Sequence, residues 1–129
     1  MKCVYVAGPY SCDNRCSGPG VNLASMRKGI EACLKVLKHG MAPFCPWLDY
    51  LFVLMDHDNE LPEKWYYEYS DAFLLRCDAM WVTGQRKNSI GVSQEIELAK
   101  LRGLPIFYKF IDLWEWNNAK SGQIEVGGV

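Results

Sequence analysis

The chain has 129 residues, 50% of them hydrophobic, which is enough for one domain with a single core and too few for two. Its 14 basic and 15 acidic residues give a formal net charge of -1, and no basic stripe stands out, which argues against a nucleic-acid partner. No segment reaches the roughly 20 apolar residues that span a bilayer, and the apolar start is too short for a signal peptide, so we expect a soluble, cytoplasmic protein with no membrane partner.

The first half of the chain predicts two strands and a long helix. Residues 2–7 form a short β-branched run that ends in a Gly-Pro turn, and a polar loop of about twelve residues follows. Residues 22–39 carry apolar side chains at helical spacing, with Asn22 as the capping residue and Gly40 as the end. Residues 41–46 predict a second strand, whose two prolines favour an edge position.

The second half continues the alternation. Residues 47–55 are compatible with a short helix, and residues 61–77 predict a helix with a large aromatic face. A third strand over residues 79–83 leads through a glycine-containing loop into a helix over residues 89–102. The fourth predicted strand covers residues 105–110.

From about residue 111 we expect a short helix and a glycine-rich tail. Strands that alternate with helices indicate a parallel sheet with helices on both faces. Right-handed crossovers make this a doubly wound, flavodoxin-like or Rossmann-like three-layer α/β sandwich, with the first strand in the centre. We therefore treat residues 1–129 as a single domain. In such a sheet a ligand binds where the strand order reverses, beyond the carboxyl ends of the strands, which selects the loops over residues 8–20 and 84–91.

The six cysteines lie at positions 3, 12, 16, 33, 45 and 77, several of them inside apolar runs, so a reducing compartment fits best. Cys12 and Cys16 are the only close pair in the sequence, and a zinc site would need two further ligands that His39 and His57 do not supply at a usual spacing. Cys16 also lacks an apparent histidine partner for nucleophilic chemistry. We expect no metal.

The start of the predicted helix over residues 89–102 has the features of an anion site. Ser89 can cap the helix through its hydroxyl, which by itself would justify a serine there. Gly91, in the first turn, leaves the backbone N–H groups open to a ligand, although glycine lowers helix stability relative to alanine. With the positive end of the helix dipole, these two residues predict binding of a group such as phosphate.

Helical geometry separates the two glutamates of this helix. At about 100° per residue, the stripe that faces the sheet consists of Val92, Ile96, Ala99 and Gly103. Glu97 lies far from this stripe and can pair with Lys100 in solvent. Glu95 borders the stripe on the side of the cleft, so it can face a ligand, although a glutamate at such a boundary is more often a surface charge.

The helix also carries the spacing S-x-G-V-x-x-E-[I/L]-x-x-A, formed by Ser89, Gly91, Val92, Glu95, Ile96 and Ala99. This spacing resembles the signature of the nucleoside 2-deoxyribosyltransferase-like superfamily. The start of the chain, V-Y-V-A-G-P-Y-S, resembles the Tyr-x-x-Gly strand and turn of that superfamily, and C-D-A-M-W-V and G-L-P-I-F resemble its third and fourth strands. The similarity covers about residues 2–110 and is greatest for small, often phage-borne members.

The resemblance implies an enzyme of nucleotide metabolism with no metal or organic cofactor. Glu95 would be the nucleophile that attacks C1' of a 2'-deoxyribosyl group and forms a covalent glutamyl-sugar intermediate. Tyr5 would orient this glutamate, although a buried strand aromatic would give the same pattern. Ser89 implies phosphate binding, because the free-nucleoside transferases tend to have an aspartate there. The expected activity is hydrolysis of the base–sugar bond of 2'-deoxynucleoside 5'-monophosphates.

Three places depart from the pattern of the superfamily. One is the loop over residues 12–20, which is longer than in its minimal members. The base-side aspartate of the superfamily falls eight residues before the aspartate that opens the third strand, which corresponds to Ser70 here, and Asp71 is displaced by one position. In the first loop, Gly8 matches the phosphate-binding turn, but the serine and arginine of the hydrolases are not at their places. Ser11 or Arg15 would have to replace them.

Two alternatives stay open, namely base exchange by a nucleoside 2-deoxyribosyltransferase, and a non-catalytic nucleotide-binding module, which the displaced Asp71 favours. In each case the partner is a small nucleotide or nucleoside. Members of the superfamily are commonly homo-oligomers, so we expect a homodimer or a higher homo-oligomer. Trp114 and Trp116 are candidates for the subunit contact, since they are difficult to bury in so small a sheet.

Overall fold

A parallel sheet forms the centre of the structure. The computed structural model describes residues 1–8, 19–58, 60–84 and 90–128, with the side chains of residues 1–8, 23–58, 60–84 and 91–119. Within these ranges the strands are Cys3–Ala7 (β1), Ala42–Phe44 (β2), Ala79–Val82 (β3) and Ile106–Phe107 (β4). They lie in the order β2-β1-β3-β4, and every neighbouring pair is parallel. The predictions of a central first strand and an edge position for the second are confirmed.

Helices in the described part of the chain connect and flank these strands. They are α1 (Pro19–Lys38), a 3₁₀ helix (Pro46–Asp49), α2 (Tyr50–Met55), α3 (Glu63–Leu74), α4 (Ile90–Arg102) and α5 (Phe110–Gly128). Across the described ranges, none of the helices has both the length and the apolar character that crossing a membrane requires.

Alternate residues of β1 contribute to two separate cores, one on each face of the sheet. Val4 and Val6 pack with residues of α1 and α5. Tyr5 and Ala7 pack with residues of α3 and α4 on the other face. This division follows from the pleat of a strand, which directs successive side chains to opposite faces. The predicted three-layer, doubly wound α/β fold is thereby confirmed.

The path of the chain places the reversal of strand order beside β1. From β1 the chain passes through α1 to β2 at one edge of the sheet, and it then returns through α3 to β3 on the other side of β1. Asp78 fixes the amino ends of the two inner strands. Its carboxylate accepts a hydrogen bond from the backbone N–H of Cys3 at 2.8 Å, and its own N–H donates to the Cys3 carbonyl at 2.8 Å. The crevice expected at a reversal therefore lies at the opposite, carboxyl ends of β1 and β3.

The observed ends of helices α1 and α4 can be compared with the ends predicted from the sequence. Gly40 and Gly103 follow the two helices with φ of 84° and 78°, a left-handed conformation that glycine adopts without strain, so both predicted ends are confirmed. The predicted capping role of Asn22 is wrong, because α1 already begins at Pro19. A proline suits the first turn of a helix, where its fixed φ is helical and its missing N–H is not needed.

The C-terminal region differs most from the prediction. The fourth strand is limited to Ile106–Phe107, and α5 begins at Phe110 and continues to Gly128, so the predicted glycine-rich tail is wrong. The spacing of Phe110, Leu113 and Trp116 explains why a helix begins at Phe110, because these three side chains lie on one face of a helix and pack toward the core of α1. The ring of Trp116 lies 5.6 Å from that of Phe107, so intramolecular packing already uses it.

Candidate functional site

The carboxyl ends of β1 and β3 are held together at the reversal of strand order. The backbone N–H and the hydroxyl of Thr83 both donate to the Ala7 carbonyl, at 2.7 and 3.0 Å. Gly8 follows Ala7, and a Cβ atom on it would overlap the Thr83 hydroxyl and crowd the ring of Trp47. Close packing alone therefore requires glycine at position 8. Its predicted contact with a phosphate group stays a prediction.

Tyr5 and Glu95 meet on the face of the sheet that α3 and α4 cover. Tyr5, in the middle of β1, is fully buried, and its hydroxyl donates a hydrogen bond to Glu95 Oε1 at 3.1 Å. Glu95 is half-buried and lies one turn before Ala99, which packs on the sheet. The helical register of α4 thus brings together two residues that are 90 positions apart in the sequence.

Glu97 provides the contrast within the same helix. Its side chain is 73% exposed, and Lys100 Nζ lies 3.8 Å from its Oε1. This is the solvent-side pairing that the helical pattern predicts, and an exposed pair of this kind stabilises a helix by less than about 1 kcal/mol. The two glutamates of α4 therefore occupy different environments although only one residue separates them.

The environment of Glu95 favours its protonated form. Burial raises its pKa from the ordinary value of 4.5 to about 7, and the negative charges of Asp71 and Asp49 act in the same direction. The hydrogen bond from Tyr5 opposes this rise, because it stabilises the carboxylate. Burial, and next the charge of Glu95, raise the pKa of Tyr5 well above its ordinary value, so Tyr5 keeps the proton that it donates. Glu95 can consequently exchange a proton close to neutral pH.

Both candidate positions for the base-side residue, Ser70 and Asp71, lie near this pair. Ser70 is buried, and its hydroxyl is within hydrogen-bonding reach of the Tyr5 oxygen. Asp71 is half-buried, and its charge contributes to the raised pKa of Glu95. Desolvation and then the charge of Glu68 raise the pKa of Asp71 itself. Helix α3 thus directs Ser70 to Tyr5. It also places the carboxyl of Asp71, whose pKa is raised above its ordinary value, near Glu95.

A third carboxyl, that of Asp49, lies within electrostatic range of the site, and no pattern in the sequence predicted it. It ends the 3₁₀ helix after β2 and is only 8% exposed. It occupies the capping position of α2, yet its side chain makes no capping hydrogen bond. Desolvation raises the pKa values of Glu95 and Tyr69, and the charge of Asp49 acts in the same direction on both. No spacing or motif marks a single aspartate in a short predicted helix, so only the folded chain shows that Asp49 belongs here.

A continuous set of aromatic rings covers the site from the side of β2. Phe44 stacks on Tyr5 with ring centroids 5.3 Å apart and on Phe73 at 4.5 Å. Tyr69 packs edge-on against Phe44 and Phe52, in both cases at 5.9 Å. The aromatic face that was predicted for residues 61–77 supplies two of these rings, Tyr69 and Phe73, from α3. Because large rings exclude water, they account for much of the desolvation that Tyr5 undergoes.

The structure describes only some of the remaining predicted site residues. A Cβ atom on Gly91 would meet no atom within 4 Å among the residues that the structure describes, so none of these residues packs against the first turn of α4 at this position. Ser11, Arg15 and Ser89, together with Cys12 and Cys16, lie outside the described residues. Among the side chains that the structure does describe, no group of three or more His, Cys, Asp or Glu residues is arranged to hold a metal ion.

A protein-family comparison covers the whole region that builds this site. The family model described as "Domain of unknown function (DUF7768)" matches residues 2–109. The chain belongs to the DUF7768 family. A search among curated proteins found no match to the sequence.

The DUF7768 match begins one residue before β1 and ends just before α5. It therefore contains the complete sheet, both helices of the Tyr5 and Glu95 face, and the three carboxyls of the site. α5 lies beyond the match and contributes to the opposite core. The region that matches the DUF7768 family, residues 2–109, thus contains the whole candidate site as far as the structure describes it.

Proposed function

We propose that this DUF7768 chain is an N-glycosidase that hydrolyses 2'-deoxynucleoside 5'-monophosphates, with Glu95 as the nucleophile. The observation that carries the proposal is the hydrogen bond of 3.1 Å between the buried Tyr5 hydroxyl and the Glu95 carboxyl. A desolvated carboxyl held by a fixed donor beside the reversal of a parallel sheet is an arrangement typical of catalytic sites. The resemblance of the α4 sequence to the nucleoside 2-deoxyribosyltransferase-like superfamily supplies the reaction type.

In the first step, the ionised Glu95 carboxylate attacks C1' of the deoxyribosyl group, and the bond from C1' to the base nitrogen breaks. The electron pair of that bond leaves with the base, and a glutamyl-sugar ester remains. Tyr5 holds one carboxyl oxygen in a fixed direction and stabilises the charged form before the attack. Water then attacks C1' and the ester bond breaks, which restores the Glu95 carboxylate. The proton that the water loses goes to the carboxylate of Asp71, which gave its own proton to the base, and 2-deoxyribose 5-phosphate is released.

Asp71 is our candidate for the acid that protonates the departing base. It lies close enough to Glu95 to influence its pKa, and desolvation and the charge of Glu68 raise the pKa of Asp71 itself above the ordinary value. Glycosidic cleavage through a covalent intermediate needs two carboxyls, one as nucleophile and one as acid, and Asp71 is a second carboxyl near Glu95. The one-residue displacement from the superfamily position does not remove Asp71 from the site.

The preference for a phosphate group rests on the sequence at the start of α4. A serine at position 89 comes directly before α4, and a glycine at position 91 lies in its first turn, where the N–H groups of a helix can bind an anion. None of the described residues packs against Gly91, which is compatible with a ligand there. We place the activity in the cytoplasm, since the described cysteines are free thiols, as in a reducing compartment.

The decisive experiment incubates the protein with each 2'-deoxynucleoside 5'-monophosphate and with the matching free nucleosides, and follows released base by chromatography. We expect release from the monophosphates, and its loss in Glu95→Ala. Glu97→Ala, on the same helix but in solvent, is the matched control and should retain activity. Release that survives Glu95→Ala would exclude this nucleophile.

The same assay distinguishes the two alternatives. If a second free base is added and exchanged nucleotide forms faster than sugar phosphate, the chain is a deoxyribosyltransferase. If no base is released but the monophosphates protect the chain against thermal unfolding, it is a nucleotide-binding module without chemistry. Intact-mass detection of a glutamyl-sugar adduct on Glu95 would support either enzyme and exclude the module.

We also propose that the chain forms at least a homodimer, with α2 in the contact. All five residues after Tyr50 in this helix are exposed and apolar: Leu51, Phe52, Val53, Leu54 and Met55. Such a surface is typical of a protein contact. We expect Leu54→Glu to reduce the mass measured by light scattering to that of one chain. Leu101→Glu, at an 86% exposed position of α4, should not do so.

A further inference from the structure

Two free cysteines lie together on the face of the sheet opposite Glu95. Cys33 belongs to α1 and is buried, and Cys45 lies between β2 and the 3₁₀ helix and is half-buried. Both contribute to the core that α1 and α5 form with the sheet. No step proposed for the Glu95 site uses either thiol.

The packing of Trp47 explains why these two residues meet. Gly29 and Cys33 are one turn apart on the same face of α1. The indole of Trp47 lies directly against Gly29, because a Cβ atom there would overlap three atoms of the ring. Cys45, two residues before Trp47, therefore lies beside the next turn of α1. Its thiol is within hydrogen-bonding reach of the Cys33 thiol in that turn.

The two thiols are not equivalent. The Cys33 thiol acts as donor, and this bond together with burial raises its pKa far above the ordinary value. The Cys45 sulfur accepts that bond, and the backbone N–H groups of Trp47 and Leu48 also lie near it, so the pKa of Cys45 is lowered in spite of desolvation. A more acidic, partly exposed thiol beside a buried protonated one is the arrangement found in redox-active pairs.

We propose that Cys45 and Cys33 form a peroxide-reactive pair, in which Cys45 is oxidised first and Cys33 then closes a disulfide. The Cys45 thiolate attacks one oxygen of hydrogen peroxide, the O–O bond breaks, and a sulfenic acid and hydroxide form. Cys33 loses its proton and attacks the Cys45 sulfur, which releases the sulfenic oxygen as water. In sum, two thiols and one hydrogen peroxide give one disulfide and two waters.

This disulfide joins α1 to the segment that carries Trp47 and Asp49. That segment crosses from the core of α1 to the Glu95 side of the molecule, because Trp47 packs on Gly29 while the charge of Asp49 acts on Glu95. The modification site is nevertheless separate from the proposed glycosidase chemistry, so either can be present without the other.

The test treats the full chain with hydrogen peroxide, blocks the remaining thiols by alkylation, and measures the intact mass and the proteolytic peptides. We expect the treated chain to carry two alkyl groups fewer than the untreated chain, a difference that dithiothreitol added before alkylation removes, with Cys33 and Cys45 in one cross-linked peptide. With Cys33→Ser, Cys45 should stop as a sulfenic acid that dimedone captures. With Cys45→Ser, Cys33 should not react. Cys3→Ser, which removes an exposed thiol, is the control and should leave the cross-link unchanged.

Three results would overturn the proposal. They are a cross-link that joins any other two of the six cysteines, an equal oxidation of Cys33 in Cys45→Ser, and an unmodified or irreversibly oxidised Cys45 in the unaltered chain. The peptide map of the unaltered chain decides the question by itself if a serine variant does not fold. Adding excess 2'-deoxynucleoside monophosphate to the same reaction should not change the cross-link.

Discussion

Replacement of Glu95 by glutamine should make the protein more stable above neutral pH. Burial raises the pKa of Glu95 from 4.5 to about 7, so the folded chain holds this proton more tightly than the unfolded chain does. The protonated carboxyl therefore favours the folded state below about pH 4.5, and this advantage is lost as the pH rises through about 7. Above that value the folded chain must contain a desolvated charge.

The size of this stabilisation follows from the ordinary and the raised pKa of Glu95. A tenfold difference in proton affinity is worth about 1.4 kcal/mol, so a rise from 4.5 to about 7 corresponds to about 3 kcal/mol at high pH. Glutamine has nearly the same shape, can still accept the hydrogen bond from Tyr5, and carries no charge. We therefore expect Glu95→Gln to raise the free energy of unfolding by up to about 3 kcal/mol near pH 8 and to change it little near pH 4.5.

Denaturant unfolding of the unaltered chain, Glu95→Gln and Glu97→Gln at both pH values measures this difference. Glu97→Gln is the matched control, because it removes a carboxylate from the same helix that is 73% exposed. Its effect should stay within about 0.5 kcal/mol at either pH. If Glu95→Gln is neutral or destabilising near pH 8 while Glu97→Gln behaves as expected, the Glu95 carboxylate is not desolvated and the reasoning fails.

Other changes test the neighbours of Glu95 and the packing around it. Tyr5→Phe removes the bond that stabilises the carboxylate and should raise the pKa of Glu95, whereas Asp71→Asn removes a nearby negative charge and should lower it; carboxyl ¹³C NMR titration checks both, and shifts of the opposite sign would contradict the assignment. Gly29→Ala places a methyl group on the indole ring beneath it and should lower the free energy of unfolding by about 1–3 kcal/mol in denaturant titrations. Gly91→Ala adds a methyl group that meets none of the described residues and should be neutral or stabilising by up to about 1 kcal/mol, so equal losses in the two alanine variants would refute the packing argument.

The local pattern of the sequence was sufficient for the order and type of the main elements. β-Branched runs predicted β1 and β3, helical spacing predicted α1, α3 and α4, and glycines marked the ends of two of these helices. The same helical period distinguished Glu95 from Glu97, because which side of a helix a residue occupies depends only on its distance along the chain from the apolar stripe. These properties are short-range, and a single sequence contains them.

Tertiary structure decided everything that depends on contacts between distant segments. The chain brings Asp49 to within electrostatic range of Glu95, places Ser70 beside Tyr5, and sets Cys33 against Cys45, although no spacing connects these residues. The start of α1 and the length of α5 were also wrong in the prediction. The sequence by itself selected a carboxyl that can face the cleft. The fold alone determined that this carboxyl is desolvated, because desolvation depends on which side chains from β1, β2, α3 and α4 surround it.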